Sequence, residues 1–121
     1  MDARLREGIK LFNEGRFFES HEALESFYQD TEEANKPFIE GLVQLAAALR
    51  IYSDFGEIKG PIRMIYQALI RFENYHPSFL GLRVKELAAA MEAWAKEAET
   101  VEGEPFSAIP KIRLRGFSFF S

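Results

Sequence analysis

The chain has 121 residues, of which 47% are hydrophobic and 28% are charged, so we expect one globular domain. It contains no cysteine, which excludes disulfide bonds, thiolate zinc sites and cysteine nucleophiles. Its formal net charge is −4, with no basic face in the pattern, so nucleic acid is not an expected partner.

Apolar residues three and four positions apart predict five amphipathic helices. The predicted ranges are 3–14, 16–30, 38–53, 61–75 and 82–99. Gly15 follows the first helix and is free to adopt a left-handed conformation. Pro37 suits the first turn of the third helix, and Pro77 disfavours helical angles at the residue before it.

The third predicted helix is apolar on every side. Only Glu40, Gln44 and Arg50 are polar within residues 38–52. A helix of this kind is buried all round, so we expect it at the centre of the bundle. Gly41 is expected to let another helix approach it closely.

The pattern changes after the fifth helix, where prolines and glycines interrupt the helical period. We expect a single helical-bundle domain over residues 1–100 and an extended C-terminal arm over residues 101–121. Three phenylalanines in this arm would be costly to leave in water: Phe117, Phe119 and Phe120. We expect the arm to dock on the domain's own groove, and a homodimer that exchanges arms is the alternative.

These patterns predict an all-α fold, a compact bundle of about five helices around a central apolar helix. No apolar run reaches the roughly 20 residues of a membrane span, so no membrane contact is expected. The charged start of the chain, Met1-Asp2-Ala3-Arg4, has no apolar signal segment. We therefore expect a cytoplasmic protein.

The second helix carries polar residues close to its apolar side. An advance of 100° per residue places His21 and Glu25 between Phe18 and Tyr28, inside the apolar arc. A carboxylate near a core needs a partner, and His21 lies one turn away. One interpretation is therefore a structural pair that points inward and is capped by Gln44 of the third helix.

Two functional interpretations stand beside this structural one. The first is a binding pocket with the polar groups at its base, lined by Phe17, Phe18, Tyr28 and Gly41. The second is a metal or acid–base site. His21-Glu22-x-x-Glu25 is close to the zinc-protease pattern, with His21 and Glu25 as possible metal ligands and Glu22 as base. Glu73 and His76 have the Glu-x-x-His spacing of di-iron helices, but only once and at a helix end.

Three segments resemble motifs of the domain of unknown function 309 family. Phe12-Asn13-x-Gly15-x-Phe17-Phe18-Glu19-x-His21-Glu22-x-Leu24-Glu25 resembles the family signature. Gly41-Leu42-Val43-Gln44-Leu45-Ala46 is similar to its Gly-Leu-Ile-Gln-Leu-Ala segment, and Pro77-x-x-Leu80-Gly81-Leu82 to its later turn. Two positions depart from the family: Tyr28 stands where Trp is usual, and Pro61 where Ala is common.

The resemblance spans roughly residues 5–90 and implies a helical bundle with one central helix. It implies no activity, since none is established for the family. It carries over five polar positions: Glu19, His21, Glu22, Glu25 and Gln44.

We therefore expect a non-catalytic binding or protein-interaction module, whose partner is an unidentified protein or a small ligand. Its site is a polar cluster in an apolar-lined seam between helices two and three, made of His21, Glu22, Glu25 and Gln44. The alternative is a metal-dependent or acid–base hydrolase that uses the same cluster. Apart from that metal, no cofactor is expected.

Overall fold

The computed structural model describes residues 1–100 and 107–116, and within them the chain is all-α as predicted. The helices are α1 (Ala3–Asn13), α2 (Phe17–Asp30), α3 (Lys36–Phe55), α4 (Lys59–Phe72) and α5 (Val84–Thr100). Each begins and ends within one turn of its predicted bounds. Short 3-10 helices span Glu33–Asn35 and Glu73–Tyr75. A two-residue antiparallel hairpin that the sequence did not reveal joins β1 (Ser78–Phe79) to β2 (Leu82–Arg83).

Helices α1 and α2 form a tight hairpin. Gly15 ends α1 with a φ of +79°, as its position predicted. Gly8 lets the two helices touch, since a Cβ there would lie 2.7 Å from the side chain of Leu24. The buried Ser20 hydroxyl donates a 2.7 Å hydrogen bond to the Gly8 carbonyl and so fixes this close approach.

Helix α3 packs between α2 and α4 and supplies much of the core. Its buried residues are Phe38, Ile39, Gly41, Leu42, Leu45, Ala46, Ala48 and Leu49. The prediction that Gly41 permits close packing is confirmed. A Cβ at this position would lie 2.6 Å from Cε1 of Phe72 on α4, so only glycine leaves room for that ring.

The prediction that α3 is buried on every side is wrong. One stripe of the helix is half-buried, and it includes Glu40, Val43, Gln44, Ala47 and Arg50. The neighbouring helices α2 and α4 leave this stripe partly open to water between them. Val43 and Ala47 lie on this stripe among the polar residues, which is why the sequence of the helix appeared apolar on every side.

Residues 107–116 contain no helix and make backbone hydrogen bonds with the segment that forms the β hairpin. The amide of Arg83 donates to the carbonyl of Arg113 at 3.0 Å, and the amide of Arg115 donates to the carbonyl of Gly81 at 2.7 Å. Ile112 is buried in the core. The other predicted arm positions, including the three phenylalanines, lie outside the described residues.

None of the helices in residues 1–100 is both long enough and apolar enough to cross a bilayer.

Candidate functional site

The core-facing side of α2 is defined by Phe17, Ser20, Leu24 and Phe27, which are all buried. These residues follow the helical spacing of three and four. His21 lies beside this stripe, at the border between the core and the solvent.

His21 and Glu25 pair with each other, as expected, but they do not point into the core. Nε2 of His21 lies 3.5 Å from Oε2 of Glu25, and their side chains are 31% and 53% exposed. The prediction that both side chains point inward is therefore wrong. The error arose because the helical wheel counted Phe18 as one edge of the buried apolar arc, whereas this residue is 45% exposed.

A cation covers the ring of Phe18 at the surface. The guanidinium of Arg50 on α3 lies 4.6 Å from the ring centroid. Nε of Arg50 also lies 3.4 Å from the Asp54 carboxylate. Phe18 thus joins the surface of α2 to that of α3 and does not belong to the core.

Gln44 belongs to a different polar group from the one predicted. Its side-chain oxygen accepts a 2.9 Å hydrogen bond from Nε of Arg71, and its amide donates to Gln67 at 3.3 Å. Arg71 also lies 3.4 Å from the Glu40 carboxylate. Gln44 therefore links α3 to α4, and its predicted role as a cap on the His21–Glu25 pair is wrong.

The remaining acidic residues of the predicted cluster face water. Glu19 pairs with Arg16 at 2.7 Å, and this hydrogen bond holds the pKa of the Glu19 carboxyl below its usual value. Glu22 is exposed and lines a shallow recess with Phe18, His21 and Glu25.

A groove does lie between α2 and α3. It has a volume of about 230 Å³ and is lined by Glu25, Tyr28, Gln29, Glu40 and Val43. The recess around His21 is adjacent to this groove, because Glu25 and Gln29 line both. We call the space lined by the five residues named first the α2–α3 groove.

Two of the predicted pocket-lining residues are not part of this groove. Phe17 is buried and packs edge-on against Phe12, with ring centroids 5.2 Å apart. Gly41 is buried beneath Phe72. Phe18 and Tyr28 remain at the groove and its recess.

Two residues that line the groove, Tyr28 and Glu40, each have a cation beside them. The ammonium group of Lys36 lies 5.3 Å from the centroid of the Tyr28 ring, which shows that a cation fits over this ring. The Glu40 carboxylate is 44% exposed and is held only at 3.4 Å by Arg71. Glu40 and Arg71 were missed as site residues, because nothing in the spacing of α3 and α4 indicates that they meet.

The metal interpretation finds two candidate ligands in one place but no third. Across residues 1–100 and 107–116, no three His, Asp or Glu side chains are grouped so that they could hold a metal ion. His21 and Glu25 are thus a surface pair without a third donor of this kind.

The resemblance seen in the sequence is supported by comparison with known families. Residues 5–63 match the family described as domain of unknown function, DUF309. This stretch of the chain is a DUF309 domain. It contains every residue that lines the α2–α3 groove, whereas Arg71 and Gln67 lie beyond the match. No protein of curated function matches the chain.

Proposed function

We propose that this DUF309 protein is a non-catalytic interaction module that binds a cationic side chain of a partner protein in the α2–α3 groove. One observation carries the proposal. Two partly exposed carboxylates, Glu25 from α2 and Glu40 from α3, line the same groove as the aromatic ring of Tyr28.

This combination suits an arginine or lysine side chain. The carboxylates can accept charge-assisted hydrogen bonds, and the Tyr28 ring can contact the cation through its face. Val43 adds an apolar wall against which the methylene part of the side chain can pack. An arginine fits best, because its planar guanidinium binds a carboxylate through two hydrogen bonds.

The present partners of the two carboxylates can be displaced. The distances from Glu25 to His21 and from Glu40 to Arg71 are 3.5 and 3.4 Å, and all four side chains are partly exposed. Ion pairs of this kind contribute little to stability. The net charge of −4 also favours the approach of a basic partner.

The hydrolase alternative has less support, because no observation in the described chain favours it. A metal-dependent reaction would need a further ligand beside His21 and Glu25, and no such group occurs in the described ranges. We place the interaction in the cytoplasm, a setting that the cysteine-free composition fits.

The proposal can be tested with two short peptides that differ only in charge. One is an acetylated and amidated Ala-Leu-Arg-Leu-Ala, and the other carries neutral citrulline in place of arginine. Each is titrated into ¹⁵N-labelled protein by NMR. We expect the arginine peptide to shift the amide signals of Glu25, Tyr28 and Glu40, and the citrulline peptide to bind several-fold more weakly.

A pair of matched double variants completes the test. Glu25→Gln with Glu40→Gln should weaken binding of the arginine peptide several-fold. Glu7→Gln with Glu57→Gln removes the same charge at exposed positions elsewhere and should leave binding unchanged. Equal binding of both peptides, equal loss in both double variants, or shifts confined to another surface would overturn the proposal.

A further inference from the structure

The fold brings basic residues from two distant parts of the chain together. An antiparallel bridge between Leu82 and Leu114 sets the register between β2 and residues 107–116. Arg83 therefore lies opposite Arg113, and the Arg83 amide donates to the Arg113 carbonyl at 3.0 Å. Like charges that lie opposite each other on neighbouring strands repel, so this arrangement favours an anion beside it.

A recess beside this pair is lined by three cationic side chains, and we call it the basic recess. It has a volume of about 640 Å³ and is lined by Arg83, Lys85 and Arg115, while Glu86 is the one acidic residue among its described lining residues. Nη1 of Arg83 lies 3.5 Å from the Glu86 carboxylate. Lys85 and Arg115 form no ion pair with any residue in the ranges 1–100 and 107–116. The described residues therefore neutralise only part of the positive charge.

This surplus of positive charge departs from the pattern of the helical bundle. The formal net charge of the chain is −4, and four helical or helix-capping arginines lie 3.4 Å or less from a carboxylate oxygen: Arg4, Arg16, Arg50 and Arg71. Cations that share one recess without such partners attract an anionic ligand.

The walls beside these cations are apolar. Pro77 and Ala89 line the basic recess, which is adjacent to a groove between α4 and α5 because Lys85 and Ala89 line both. The α4–α5 groove has a volume of about 480 Å³, and its walls include Leu69 and Ile70, of which Ile70 is 67% exposed. Apolar surface next to a cationic recess suits a ligand that joins one anionic group to a carbon body.

We propose that the basic recess binds the phosphate group of a small organic phosphate monoester, whose apolar part contacts the α4–α5 groove. A phosphate group offers three strong acceptor oxygens, and a planar guanidinium such as that of Arg83 or Arg115 can donate to two of them at once. The hydroxyl of Ser78 also lines the recess and can donate a further hydrogen bond. The volume of the recess is in the usual range of small-molecule sites.

A small molecule is favoured over a nucleic-acid strand. A strand is held by a row of phosphate contacts, whereas these cations surround one recess on a chain whose net charge of −4 repels a long polyanion. The proposal uses no residue of the α2–α3 groove and does not depend on the function proposed there.

Two ligands that differ only in the phosphate group test the proposal. Phenyl phosphate and phenol are each titrated into the ¹⁵N-labelled full chain by NMR at constant ionic strength. We expect phenyl phosphate to shift the amide signals of Arg83, Lys85 and Arg115 until they saturate, and phenol to bind several-fold more weakly. A thymidine decamer serves as the nucleic-acid ligand and should bind no more tightly per phosphate than phenyl phosphate.

Matched variants locate the binding. Lys85→Gln with Arg115→Gln should weaken the binding of phenyl phosphate several-fold. Arg6→Gln with Arg63→Gln removes the same charge at exposed positions elsewhere and should leave the affinity unchanged. Glu86→Gln removes the acid beside Arg83 and should strengthen binding, a gain that a folding defect cannot produce.

Four results would overturn the proposal. They are equal binding of phenyl phosphate and phenol, equal loss of affinity in the two double variants, no gain of affinity in Glu86→Gln, and signal shifts confined to another surface. Tighter binding of the decamer per phosphate would also overturn it, because the recess would then be part of a nucleic-acid surface.

Discussion

The side chain of Asn13 and the backbone of Ile112 form a reciprocal pair of hydrogen bonds. Nδ2 of Asn13 donates to the Ile112 carbonyl at 2.9 Å, and the Ile112 amide donates to Oδ1 of Asn13 at 2.7 Å. The pair joins the last residue of α1 to the arm near the other end of the sequence, and it lets Ile112 enter the core without losing its backbone hydrogen bonds.

Replacing Asn13 should release the arm. In Asn13→Ala both hydrogen bonds are lost, and we expect the free energy of unfolding to fall by about 1–3 kcal/mol. The Ile112 amide should also exchange its hydrogen faster. Denaturant titration and hydrogen exchange measure the two effects. Asn74→Ala, at an exposed position, is the control and should change neither, and an equal effect in the two variants would contradict this role for Asn13.

Enlarging Gly41 should destabilise the contact between α3 and α4. In Gly41→Ala the new methyl group would meet the Phe72 ring at 2.6 Å, so we expect a loss of about 1–3 kcal/mol. Gly60→Ala is the matched control, because a Cβ there meets nothing within 4 Å. Thermal or denaturant unfolding measures both. When Phe72→Leu is combined with Gly41→Ala, the loss of unfolding free energy should be smaller than the sum of the losses in the two single variants. A loss equal to that sum would argue against the contact.

Tyr66 should make the stability of the protein fall at high pH. Burial and the 2.7 Å hydrogen bond to Glu99 raise the pKa of Tyr66 from 10.0 to about 12. The folded state therefore favours the neutral phenol. Its stabilising contribution is complete below pH 10 and is lost as the pH rises towards 12. The difference in tyrosinate absorbance between the unmodified protein and Tyr66→Phe should have its midpoint near pH 12.

The role of Glu99 in this titration can be separated from that of burial. Glu99→Gln keeps a side-chain acceptor but removes the negative charge, so the Tyr66 midpoint should move down towards pH 10 without reaching it. A midpoint at pH 10 in the unmodified protein would show that Tyr66 is not held as the structure describes.

The His21–Glu25 pair should contribute little to stability. Both side chains are partly exposed and 3.5 Å apart, and surface pairs of this kind are worth about 0–1 kcal/mol. We therefore expect His21→Ala and Glu25→Ala to unfold at nearly the same denaturant concentration as the unmodified protein. Ser20→Ala provides a comparison from the buried side of α2 and should cost more. If Glu25→Ala lowered the free energy of unfolding by several kcal/mol, the result would instead support an inward-pointing Glu25 side chain.

The sequence could predict the helices because each carries a clear apolar period. It could also predict the roles of two glycines. Gly15 directly follows the last apolar residues of the first helix, which is the usual position of a left-handed glycine, and Gly41 lies within a helix of bulky residues. Both predictions depend on neighbours close in sequence. The β hairpin escaped prediction because its two strands have only two residues each, too few to show an alternating pattern.

The site was predicted less well because its geometry depends on which helices meet. Phe18 was taken as one edge of the apolar arc, and the sequence of α2 does not show that Arg50, from another helix, covers its ring. Gln44 of α3 was expected to cap the His21–Glu25 pair of α2, whereas its hydrogen-bond partners lie on α4. Asn13 was part of the family motif but had no visible role, because Ile112 is almost a full chain length away.

The end of the DUF309 match falls inside α4, nine residues before Phe72, whose ring fills the notch left by Gly41 and lies 5.4 Å from that of Phe38. A fragment trimmed to residues 5–63 would lack Phe72, so the ring of Phe38 and the backbone at Gly41 would lose this cover and be exposed to water. The unit that sequence comparison recognises is therefore smaller than the unit that folds. Expression of this domain, or transfer of it into a fusion protein, should retain α4 and α5 together with the arm.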